Sequence, residues 1–184
     1  MAFRRWAPFH SRPAPACRVA PVIGDVWPQM FSRRDFETLP DEQLDSWQFG
    51  RSYKGLHHTV YPQYAFSPPD SEQFIKITRA PKEDRDDGLR FWINAELIDD
   101  WGGRRDKLRP YLSASLFRPI TEEEFNDRVE AQARDLADSV QLPIRKSGRC
   151  VGGLAMHTME TDSLVSLVAE YEDEYIHFYW ETSA

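Results

Sequence analysis

Cysteine is scarce. Cys17 and Cys150 are the only two in a chain of 184 residues, which excludes a small disulfide-stapled secreted domain and points to a reducing compartment. Long apolar runs are lacking too. No stretch approaches the ~18 consecutive apolar residues that a spanning helix needs, so no membrane association is expected and the cytoplasm is the expected location. Charge of one sign is missing at each end. Residues 1–24 hold four arginines and no acid, whereas 150–184 hold seven acids and neither Lys nor Arg.

Several motifs are also absent, and each absence removes a class of chemistry. No Cys-x-x-Cys, His-x-x-x-His or His-Glu-x-x-His occurs, so no metal site is expected. The glycine patterns that cradle phosphates are missing, as is Gly-x-Ser-x-Gly, so no nucleotide cofactor is expected. The Cys-x5-Arg phosphate loop fails because Met156 stands where Arg would be. Glu83-Asp84-Arg85-Asp86-Asp87-Gly88 fails as a calcium loop, because Arg85 falls in a ligand slot and Asn94 replaces the closing Glu. That run reads as a solvated turn. His57 and His58 read as two loop imidazoles, since neighbours in an extended chain point opposite ways.

What is present is ordinary globular material: 41% hydrophobic and 29% charged residues with a net charge of −7. Such a composition supports one domain with a proper core. Residues 1–30 read as a basic, Pro-rich, disordered arm. Pro8, Pro13, Pro15 and Pro21 interrupt it, and it has no apolar stretch of the kind a secretory signal requires. Residues 31–184 read as a single domain. A short helix is predicted after Thr38, with Pro40, Asp41 and Glu42 in its first turn and Leu44 and Trp47 facing inward. Residues 51–73 read as loop.

Strands are predicted at Phe74–Arg79, at Leu89–Ile98 from its alternation, and at Tyr111–Phe117, forming a meander. Thr121 and Glu124 form a capping box, and the stripe Phe125, Val129, Ala133, Leu136, Val140 predicts a long amphipathic helix from Glu122 to about Val140. After a glycine-bearing loop, Leu154–Met159 reads as a short strand. Leu164–Tyr171 and Tyr175–Glu181 read as a β-hairpin. The expected fold class is α+β: a single antiparallel sheet of about five or six strands, one long amphipathic helix packed on one face, and a short N-terminal helix.

The closing hairpin carries the candidate site. Tyr171, Glu172, Asp173, Glu174, Tyr175, Tyr179 and Trp180 join aromatic anchors to acids. Tyr and Trp bury much area at small entropic cost, and acids around them steer a basic partner. The profile is similar to that of small acidic bacterial proteins that neutralise a toxin or dock onto an enzyme. It implies an immunity-like, antitoxin-like or inhibitor-like binding module that occludes a basic partner surface, more a binder than an enzyme. Two alternatives stand beside it. One is a hydrolase or transferase using Cys150 with His157; the other is a structural subunit of a larger bacterial or phage assembly. Phe3-Arg4-Arg5-Trp6 offers only a small basic patch against a body that repels phosphate, so no nucleic acid is expected. Self-association into a homo-oligomer is compatible with the sequence.

Overall fold

The computed structural model describes residues 30–47, 53–69, 72–83, 88–97, 109–110, 115–137, 142–144, 148–157 and 163–183. The arm before Met30, the loop at Trp101–Gly103, the run Asp84–Asp87, the start of the expected strand at Tyr111 and the expected helix end at Val140 lie outside them.

Six strands are described: β1 (His57–Tyr61), β2 (Gln73–Pro81), β3 (Leu116–Pro119), β4 (Cys150–His157), β5 (Leu164–Tyr171) and β6 (Glu174–Thr182). They form one antiparallel sheet in the order β1-β2-β6-β5-β4-β3. The described α-helices include α1 (Arg33–Glu37), α2 (Asp41–Ser46), α3 (Leu89–Leu97) and α4 (Glu122–Ala133). The fold class is α+β. The predicted hairpin is β5–β6, and it lies in the middle of the sheet, because β6 also pairs along its full length with β2.

Three elements differ from expectation. The segment from Leu89 is the helix α3, not a strand. Its apolar residues do alternate, but Leu89, Phe91, Trp92, Ile93 and Ala95 are all buried, so the helix is surrounded and its sequence shows no one-sided stripe. Trp92 fixes it, stacking on Phe31 at 5.6 Å and meeting Phe117 edge-on at 5.2 Å. Second, the amphipathic helix is short. Thr121 Oγ1 accepts from Glu124 N at 3.1 Å, as the capping box requires. The helix nevertheless ends at Ala133, because the following backbone bonds elsewhere: Ser67 N donates to Asp135 O at 2.7 Å and Ala137 N to Ala65 O at 3.0 Å. Third, the expected loop over 51–73 contains β1, so His57 and His58 are strand residues. Thr38 ends α1, and it is Pro40 that precedes α2.

Both faces of the sheet are covered. On one face α1, α2 and α3 enclose Phe31, Phe36, Leu44, Trp92, Leu154, Val168 and Tyr175. On the other, Phe125 and Val129 of α4 join Phe66, Ile75, Ile77, Leu167, Ile176 and Phe178. The period-2 alternation of β6 therefore feeds two different cores.

Candidate functional site

The hairpin aromatics belong mostly to those cores. Tyr171, Tyr175 and Trp180 are buried. The Tyr175 ring stacks on Phe91 at 5.2 Å. Tyr171 donates to Glu122 Oε1 at 3.3 Å, and burial together with that carboxylate pushes its phenol well above the ordinary tyrosine range. Trp180 Nε1 donates to Gln73 Oε1 at 3.1 Å. The expectation that these three rings face a partner is thus corrected: in a strand covered on both sides, neither alternate set of side chains remains outside. Tyr179 alone is half-buried.

The hairpin acids are largely compensated by basic residues that come from distant parts of the chain. Glu170 pairs with Lys82. Glu172 accepts from the Arg149 backbone N at 3.2 Å and lies 3.7 Å from its Nε. Glu174, 7% exposed, accepts from Arg79 Nε at 3.0 Å, while Arg79 Nη1 donates to Pro143 O at 2.7 Å. Asp173 is exposed at the tip, where its carbonyl accepts from Lys82 N at 2.9 Å.

Cys150 and His157 are not brought together. They occupy opposite ends of β4, Cys150 opposite Tyr171 and His157 opposite Leu116. Strand rise separates such ends by about 20 Å. The Cys150 thiol is buried and donates to Gly152 O at 3.6 Å. Gly153 serves packing, since a Cβ there would lie 3.0 Å from the Ile120 carbonyl oxygen. On β1, His58 Nδ1 lies 3.0 Å from Thr78 Oγ1. Among the described residues no group of three or more His, Cys, Asp or Glu is placed to hold a metal ion.

A buried polar layer crosses the α3 face of the sheet. Lys76, Thr78, Glu96, Ser166 and His177 are all buried there. His177 Nε2 lies 2.9 Å from Ser166 Oγ and 3.2 Å from Glu96 Oε1. Burial raises the Glu96 pKa, but the His177 hydrogen bond and charge, the Lys76 charge and the Ser166 hydroxyl outweigh it and hold the carboxyl below its ordinary value. A catalytic Ser-His-acid relay needs serine and acid on different ring nitrogens. Here both meet Nε2, and Nδ1 is buried without a partner, so the arrangement reads as a structural layer.

Beyond this layer, at the end of the hairpin away from its turn, lies an open groove of about 500 Å³ lined by Pro62, Gln63, Glu72, Phe74, Glu181, Thr182 and Ser183. Register places Phe74 directly across from Glu181, and the half-buried Phe74 ring meets Tyr179 edge-on at 6.5 Å. Ser183 Oγ donates to Glu72 Oε2 at 2.7 Å, and the Tyr179 hydroxyl donates to Glu181. No cation among the described residues pairs with either carboxylate. Alongside, Val60 is 47% exposed and Tyr64 79%. The sequence missed this site because Glu72, Phe74 and Glu181 come together only through β2–β6 pairing. The one visible signal was the alternation Tyr175, His177, Tyr179, Glu181, which places Glu181 on the Tyr179 face.

No family model, no curated protein and no solved structure matches the chain.

Proposed function

We propose that this protein is a binding module that covers a basic surface of another protein, in the manner of an immunity protein, antitoxin or inhibitor. One observation carries the proposal: Glu72 and Glu181, uncompensated by any described cation, rim a groove floored by Phe74 and flanked by Tyr179. An apolar floor supplies contact area, and unpaired carboxylates supply steering and selection for positive charge. Of the seven hairpin residues, Tyr179 stays in the proposed contact. Glu172 and Asp173 are exposed but stand beyond the other end of β6, more than about 25 Å away by strand rise.

The test is affinity capture of the tagged full chain from its native lysate, beside a Glu72→Lys/Glu181→Lys variant of equal thermal stability. One stoichiometric basic protein, captured by the parent chain and lost from the variant, is the expected result. Equal capture by both chains, or none by the parent, would overturn the proposal.

A further inference from the structure

The groove lies over the last stretch of the β2–β6 ladder, where register fixes how its side chains stand. Phe74 is directly across from Glu181, and Gln73 across from Thr182. Ser183 N donates to Glu72 O at 3.3 Å, which extends the ladder by one rung. Alternation then puts Glu72, Phe74, Glu181 and Ser183 on one face. Glu72 and Glu181 are diagonal neighbours there, about 7–8 Å apart between Cα atoms. Both carboxylates are held by hydroxyls: Glu72 Oε2 accepts from Ser183, and Glu181 Oε2 from Tyr179. The Oε1 atom of each accepts no hydrogen bond from a described residue. Two oriented acceptors therefore stand beside the half-buried Phe74 ring. The two rings of the groove differ in what they already carry. Lys76 Nζ stands over Tyr179, 5.2 Å from the ring centroid. Among the described residues no cation stands over Phe74, so Phe74 is the ring that an incoming cation meets.

We infer that the groove takes an arginine side chain of the partner, whose guanidinium lies over the Phe74 ring and donates to Glu72 Oε1 on one side and Glu181 Oε1 on the other. This deepens the docking proposal and rests on it: the groove selects arginine, not positive charge in general. The chemistry of the two basic side chains decides between them. A guanidinium is flat, always charged, weakly hydrated, and carries N–H donors along more than one edge. It stacks on an aromatic ring while its hydrogen bonds run in its own plane. Two hydrogen bonds of about 2.9 Å, with the guanidinium between them, span the diagonal from Glu72 to Glu181. A lysine ends in a compact, strongly hydrated ammonium with no flat face. It serves one carboxylate well, and gives up hydration to approach the ring. The groove volume of about 500 Å³ also leaves room for the backbone on either side of the arginine. A second copy of this chain is a poor occupant because its net charge is also −7.

The probe is a labelled glycine-serine peptide carrying two arginines; matched peptides carry two lysines or two citrullines, the neutral shape-mimic of arginine. Fluorescence anisotropy with the full chain is expected to show the arginine peptide binding at least about tenfold tighter than the lysine peptide, a difference near 1.4 kcal/mol. The citrulline peptide is expected not to bind. The preference for arginine should vanish in Phe74→Leu and persist in Phe74→Tyr, which keeps the ring. Binding should be lost in Glu72→Gln/Glu181→Gln and unchanged in Glu172→Gln/Asp173→Asn, which removes the same charge beyond the other end of β6. Thermal melts establish that each variant is folded. Arginine and lysine peptides that bind alike, a preference that survives Phe74→Leu, or an equal loss in Glu172→Gln/Asp173→Asn would overturn the inference. The two proposals fail differently. Alike binding that is lost in Glu72→Gln/Glu181→Gln removes the arginine and leaves the basic docking groove standing. No binding of either basic peptide, or binding that this variant leaves unchanged, removes both.

Discussion

Glu96 of α3 and His177 of β6 meet 3.2 Å apart in a layer from which water is excluded, 4% and 0% exposed. The pair ties α3 to the central strand by a polar contact as well as by packing. A carboxylate in that position depends on its partners, because an isolated buried charge is costly.

Glu96→Gln is expected to destabilise the protein at pH 7 by about 3 kcal/mol, since the buried Lys76 and His177 would then lose the Glu96 carboxylate. It should also flatten the acid limb of the stability curve. The Glu96 pKa is lowered in the folded chain. Its contribution is therefore complete above the unfolded value of about 4.3 and is lost as pH falls from there through the folded value. Urea unfolding across that range checks this, and an unchanged acid limb in the variant would contradict it.

The hairpin acids should separate into two groups. Glu174→Ala removes the carboxylate to which Arg79, its side chain 25% exposed, donates, and about 1–2 kcal/mol of destabilisation is expected once solvent screening is allowed for. Glu172→Lys with Asp173→Lys, on exposed side chains, should cost less than about 1 kcal/mol. It should also leave partner capture intact. Parallel urea melts and capture assays test both halves.

Gly153→Ala addresses a glycine that the sequence placed in a loop and that lies in β4. The added Cβ would press on the Ile120 carbonyl oxygen and Cγ1, each at 3.0 Å, between α4's entry and β4. A loss of about 1–3 kcal/mol is expected from overpacking. Thermal unfolding reads it; a neutral result would mean that the Ile120 backbone yields freely.

Much of the fold was legible where local chemistry and tertiary demand agree. Thr121 and Glu124 mark a helix start that needs no outside contact, and the apolar arms of β5 and β6 mark strands wherever they pack. Legibility failed where burial is complete. In α3 the apolar set surrounds the helix, so alternation at Leu89, Phe91 and Ile93 imitated a strand. Leu136 continues α4's stripe but leaves the helix to bridge Phe66. The site failed for a related reason. Aromatics on β6 look like anchors until the two covering layers are known, and acids on the turn look unbalanced until Lys82, Arg149 and Arg79 arrive from elsewhere. Composition cannot reveal which carboxylates keep no cation, because that depends on pairing between positions far apart.

Among the described residues, β6 joins the β1–β2 pair to the β5-β4-β3 set. Its contact with β2 joins residues as distant as Gln73 and Trp180, 107 positions apart. Before β6 docks, a refolding chain holds two separate sheet fragments with open inner edges. Final closure must therefore carry a large loop-closure cost, and folding is expected to be slow for a domain of this size. During that interval the edges of β2 and β5 can accept the β6 of another molecule, so exchange of the closing strand between chains is the characteristic error this topology invites at high concentration.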